Sequence, residues 1–131
     1  MLWRNFMRVA EACRAHGGNI AFEWPRGCTY WNDRRVRTFL KKFNLKKYNM
    51  DGCEFGLVSK ATKTEGMMLK KPWRIASDVE QFWRMERMCT HTPGSHAKTQ
   101  GIDTKLGEGY TDEFAKMVHL CWDVYVAASW D

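Results

Sequence analysis

Gly18-Asn19-Ile20-Ala21-Phe22-Glu23-Trp24-Pro25-Arg26-Gly27-Cys28 holds a short apolar run closed by an acid, a tryptophan and a proline. The apolar run Ile20 to Phe22 is short enough for a buried parallel strand. Pro25 has no N–H to give to a ladder, so the strand is expected to stop at Glu23 or Trp24. In an open α/β sheet, ligands bind outside the carboxyl ends of the strands. Glu23 is therefore expected at a ligand-facing edge, with Arg26, Cys28 and Tyr30 in the loop beyond it. The plainer reading is a solvated strand end.

Upstream, Leu2, Trp3, Phe6, Val9, Ala10 and Cys13 recur at spacings of three and four, which predicts an amphipathic helix ended by His16-Gly17-Gly18. Downstream, Asn32 or Asp33 can cap a second helix with Val36, Phe39, Leu40 and Phe43 as its buried stripe and Asn44 at its close. Tyr48 to Val58 reads as an extended segment in which Gly52 and Gly56 mark a bulge or a close backbone approach. Residues 59–66 read as a hairpin or loop. A strand from Trp73 then leads to Asp78, whose capping-box spacing to Gln81 predicts a third helix running to Cys89. Residues 89–109 lack periodicity and are expected to form a long irregular loop. Thr111 opens a last helix, over 111–128, with the stripe Phe114, Val118, Cys121, Trp122 and Tyr125. Strands alternating with helices predict a single α/β domain over 1–131, a partial Rossmann-like three-layer unit with a short sheet flanked by helices.

A chain of 131 residues, 44% of them hydrophobic, can bury a core without metals or disulfides. No segment approaches the roughly 20 apolar residues of a membrane helix, and Met1 to Phe6 lacks the pattern of a signal peptide. A soluble, intracellular and cytoplasmic protein without membrane partners is expected. Five cysteines with no framework spacing point to reduced thiols, and Cys13 and Cys121 fall on helix stripes as core residues. The formal charge of +6 is unevenly spread. Arg26, Arg34, Arg35, Arg37, Lys41, Lys42, Lys46 and Lys47 face Asp33 alone, whereas the stretch from Asp103 onward is acidic. Such a basic half predicts either a polyanion-facing surface, most simply nucleic acid, or a solvated helix face.

Cys89-Thr90-His91-Thr92-Pro93-Gly94-Ser95-His96 places one thiol and two imidazoles in a loop, and Cys53 in its glycine-flanked bend can supply a fourth ligand. Zinc favours tetrahedral nitrogen and sulfur sites of this kind, and a long loop would gain order from one. Without an adjacent HExxH acid, a structural Zn2+ is expected rather than a catalytic one. The alternative is a helix-ending Cys89 beside solvated histidines. Cys28 lies between Arg26 and Tyr30, but no histidine stands near it in sequence to make it a nucleophile. GxGxxG, GxxxxGK[ST] and GxSxG motifs do not occur, which argues against a self-contained dinucleotide or ATP site. Aromatic and basic residues interleave at Trp24-Pro25-Arg26, at Tyr30-Trp31 with Arg34-Arg35, and at Lys70-Lys71-Pro72-Trp73-Arg74. Stacking platforms beside phosphate-binding cations are what single strands or flipped bases need, although the tryptophans can equally fill a core, as expected for Trp73.

The segment Phe22-Glu23-Trp24-Pro25 resembles the ENV or ENP strand end of cytosine-5 DNA methyltransferases. Asp51-Gly52-Cys53-Glu54-Phe55-Gly56-Leu57, followed by Lys71-Pro72-Trp73-Arg74-Ile75, is similar to that family's later segment leading into the next strand. With the C-x-H of Cys89 and His91 and the further His96, the order resembles methyltransferase-like proteins of phages and mobile elements over roughly residues 1–110. The family's glycine-rich S-adenosylmethionine motif and Pro-Cys nucleophile lie upstream of the glutamate strand, and nothing before Glu23 matches either. The resemblance thus implies the C-terminal half of such a Rossmann-type domain. Its catalytic carry-over is Glu23 as a base-contacting acid and Arg74 as the motif arginine. S-adenosylmethionine would bind only where a partner or missing segment supplies the site.

These readings converge on a nucleic-acid-binding domain, DNA in the first instance, related to DNA methyltransferases and lacking its own cofactor site. Arg26, Arg34, Arg35, Arg37, Lys41, Lys70 and Lys71 would meet phosphates, and Trp24, Tyr30 and Trp31 would meet bases. Two alternatives stand beside it. One is half of a DNA-modifying methyltransferase or nuclease completed by a partner chain; the other is a zinc-stabilised module that binds protein through its acidic C-terminal helix.

Overall fold

A computed structural model of the chain describes residues 2–98 and 109–129. Helix α1 spans Leu2–Ala15 and ends in a glycine-terminated cap: Gly17 takes φ +83°, while the Gly18 amide donates to the Cys13 carbonyl at 2.8 Å. Strand β1, Ala21–Pro25, forms in this stretch, but it runs past the expected stop at Glu23 or Trp24 to Pro25, opposite Trp73. An edge strand tolerates a proline whose missing N–H would face away from the sheet. A 3-10 turn at Thr29–Asn32 leads into α2, Arg34–Lys42, where Asp33 caps by accepting from the Arg35 amide at 2.8 Å. Asn44, the only described non-glycine residue with positive φ, closes α2 in the left-handed conformation its short amide tolerates.

Strand β2, Lys46–Asp51, runs into a 3-10 turn at Gly52–Phe55, and β3 spans Pro72–Ser77. The three strands lie in the order β1-β3-β2, and both neighbours run antiparallel to β3. The parallel strand expected at Ile20–Glu23 is thus corrected to an antiparallel edge strand. A run of a few apolar residues carries no information about strand direction, which the chain's later return sets. The coarse class holds: an α/β fold built on a small open sheet. The described strands do not form the parallel β-α-β unit of a Rossmann layer.

Side chains alternate across this sheet, so each strand serves two cores. Phe22, Trp24, Ala76 and Arg74 face α1 and α2, where Ile20, Trp31, Val36, Phe39 and Leu40 are buried. Tyr48, Met50, Trp73 and Ile75 face the other way, onto Phe55, Phe82, Met85 and helix α3, Asp112–Ser129. Thr111 caps α3 as expected, accepting from the Phe114 amide at 3.1 Å, and Phe114 and Cys121 anchor it in the core. Trp122, by contrast, is exposed.

Three further expectations are corrected. Asp78 does not open a helix; its carboxylate instead accepts from the Ile20 amide and pairs with Arg14 at 2.7 Å. The segment that follows is a 3-10 helix, Glu80–Met85, and not an α-helix reaching Cys89. Cys13 is exposed, as are Leu2 and Val9, because α1 lies over the edge of the sheet and buries only Ala10 completely. Of the loop expected over 89–109, residues 99–108 lie outside the described residues, as do Asp103, Glu108 and Asp131 of the acidic stretch. No described helix is long and apolar enough to cross a membrane.

Candidate metal centre

Cys53 sits in the 3-10 turn directly after β2, and Cys89, His91 and His96 come from the segment after the Glu80–Met85 helix. Their ligand atoms all lie within 4.8 Å of one another, so the Cys2His2 cluster can hold a metal ion. Cys89 Sγ stands 3.5 Å from His91 Nδ1 and 3.4 Å from His96 Nε2. A tetrahedral Zn2+ with its usual bonds to sulfur and nitrogen sets S···N separations of about 3.6 Å. Cys89 thus stands at a zinc site's spacing from both histidines, and Cys53 completes the group within 4.8 Å.

Four local devices place them. Gly52 allows the bend: a Cβ there would come within 2.8 Å of Leu57 Cδ2 and 3.2 Å of Trp73 Cη2. The Asp51 carboxylate is buried, takes the Arg26 guanidinium on Oδ1 and accepts the Cys89 amide on Oδ2 at 2.8 Å. The backbone at His96 is paired in parallel with Met68, and the Ala97 amide donates to the Met68 carbonyl at 2.9 Å. Finally, Glu54 Oε2 lies 3.6 Å from His91 Nε2, the ring nitrogen turned away from Cys89. A carboxylate behind a ligating histidine orients the ring and fixes its tautomer. Burial, then the neighbouring Cys89 thiol, pushes the Cys53 thiol up to about 12. Without a cation this group stays a thiol, and a metal would reverse that preference.

The other candidate residues are distributed over both faces of the sheet. Glu23 and Arg74, the pair taken from the methyltransferase resemblance, are not brought together. Glu23 faces α3, where Tyr110 donates to Oε1 and Oε2 is buried without a partner among the described residues. Burial raises its pKa, against the Tyr110 hydrogen bond and Lys71, which lower it. Arg74 lies on the opposite face, its guanidinium 5.4 Å above the Trp31 ring and its Nε donating to Asn49 at 2.7 Å. Trp31 is buried and donates to the Pro25 carbonyl, so its ring faces packing partners. Trp24 is half-buried and Tyr30 exposed. Arg34, Arg35, Arg37 and Lys41 form an exposed row on α2, Lys70 is exposed, and Lys71 is half-buried.

Among the described residues, no strand passes through a glycine-rich turn into a helix within a parallel sheet. In the sequence Asp51 and Glu54 belong only to the motif around Cys53, with nothing to mark them as supports of a metal site. Their only signal was adjacency to Gly52-Cys53, which solvated acids share. No protein family, curated protein or solved structure matches the chain. What the geometry defines is a three-layer α/β unit around a small antiparallel sheet, with a Cys2His2 cluster at one edge.

Proposed function

We propose that Cys53, Cys89, His91 and His96 bind one structural Zn2+, and that the domain so stabilised binds nucleic acid through α2. The S···N separations of 3.4 and 3.5 Å support the zinc half of this reading. A closed set of four protein ligands leaves no position for substrate, which marks a structural centre. The nucleic-acid half rests on the row of Arg34, Arg35, Arg37 and Lys41, all exposed. Among the described residues only Arg35 of the four has an acid partner, Asp33. Cations left facing solvent along one helix are what phosphates neutralise on binding, with release of counterions. Kinship with DNA methyltransferases belongs to this proposal through Glu23 alone.

Binding to labelled oligonucleotides across a salt series tests it. Affinity should fall steeply with salt, and replacing Arg34, Arg35 and Arg37 together by alanine should weaken binding and flatten the slope by about 2 to 3 in log–log units. No binding at low salt would overturn the nucleic-acid half and favour a second reading, protein interaction through α3. That reading is supported by Leu120 and Trp122, exposed on α3, and by the exposed Trp83.

A further inference from the structure

On the helix side of the sheet lies a cavity of about 510 Å3, bounded by Trp3, Phe6, Phe22, Trp24, Tyr30 and Arg35. Its volume falls in the range of about 300–1,000 Å3 typical of small-ligand pockets. The walls come from three elements: α1 supplies Trp3 and Phe6, β1 supplies Phe22 and Trp24, and the turn into α2 supplies Tyr30. The rings brace one another, with centroids 5.6 Å apart for Trp3 and Phe22, 5.4 Å for Trp3 and Trp24, and 5.0 Å for Phe22 and Trp24. Even so these four wall rings are only half-buried, and Tyr30 is 61% exposed, its ring 5.7 Å from that of Trp24.

Aromatic walls accept two kinds of guest, a quaternary ammonium or a flat π system. Charge decides between them. Asp33, the acid in the lining, is committed to capping α2 and to pairing with Arg35, and Arg34 and Arg37 stand exposed on the same helix. That field repels a cation and attracts a guest that carries phosphate. We infer that the cavity receives an unstacked base of a single-stranded nucleic acid. The base stacks on the exposed face of Tyr30, beside the Trp24 ring tilted 60° to it, and its phosphate meets Arg35. This inference rests on the nucleic-acid reading above and narrows it to single strands.

Three probes of equal length separate the possibilities: oligothymidylate, the same backbone with abasic sites, and a duplex. Each is titrated by tryptophan fluorescence against the wild-type chain and the Tyr30→Ala variant, whose exposed position leaves the core in place. The inference expects oligothymidylate to bind tighter than either other probe and to quench tryptophan emission. Tyr30→Ala should then lower its affinity roughly 5- to 100-fold, with abasic binding unchanged. Trp24→Phe, which keeps an aromatic wall, should retain most of the affinity. Equal affinity for oligothymidylate and the abasic strand, or an equal loss on all three probes in Tyr30→Ala, would overturn the pocket while leaving the basic surface standing. Absence of binding to every probe would overturn both.

Discussion

Asp51 is 1% exposed, and its two carboxylate oxygens face Arg26 on one side and the Cys89 amide on the other. Asp51→Ala would leave the half-buried Arg26 charge and a backbone N–H without partners. Unfolding in urea should show a loss of about 3 kcal/mol, with zinc affinity falling alongside it. Glu23 is the residue whose protonation should be visible in stability. Because burial raises its pKa on folding, the folded chain binds more protons than the unfolded chain between the two values. Its contribution therefore grows as pH falls through the raised value and is complete below the unfolded one, near about 4.3. Urea midpoints of wild type and Glu23→Gln, compared from about pH 7 to about pH 4, should show wild type gaining relative to the variant as pH falls. A pH-independent difference would contradict this. The four metal-cluster residues were legible in the sequence because thiol and imidazole spacing within a loop is unusual. Asp51 was not, because a buried acid and a solvated one look alike until the packing around them is known.

At the scale of elements, α2 joins the capping, packing and binding arguments. Asp33 caps it, Val36, Phe39 and Leu40 bury one face, and the cations occupy the other. Asp33→Ala removes the cap and should lower the melting temperature while leaving the basic row in place, read by circular dichroism. The turn Gly52–Phe55 is the other decisive element. Gly52→Ala would press a methyl group onto Leu57 and Trp73, which should cost about 1–3 kcal/mol and displace Cys53 from the cluster. The helices α1, α2 and α3 were legible from their apolar period and from Asp33, Asn44 and Thr111. Strand direction was not, since Ile20 to Phe22 has the same composition whether its neighbour runs with it or against it. Asp78 misled for a related reason: a cap and a long-range ion pair both place an acid at the end of a strand.

For the whole molecule, one sheet divides two hydrophobic clusters, and the two functional candidates lie on different sides of that division. The aromatic cavity and the basic row belong to the α1 and α2 side. The Cys2His2 cluster belongs to the other, where Cys53 adjoins a core containing Phe55, Trp73 and Phe114. Among the described residues 86–98, Ala97 is the one buried apolar residue. Residues 86–98 are held instead by polar contacts: the Asp51 and Met68 hydrogen bonds, the Arg87 pair with Glu113 at 2.8 Å, the Thr90 hydroxyl on Glu54 at 3.0 Å, and the proposed zinc ligands. Removing zinc should release this segment first while the α1 and α2 layer persists, which hydrogen exchange would resolve.

The zinc centre is tested by the metal content of the purified chain together with its melting curve. The account predicts one equivalent of zinc. A chelator should lower the melting temperature by roughly 10 °C, and both effects should be abolished in Cys89→Ser and His96→Ala. A chain that holds no zinc, and whose melting is indifferent to chelator and to both substitutions, would contradict it.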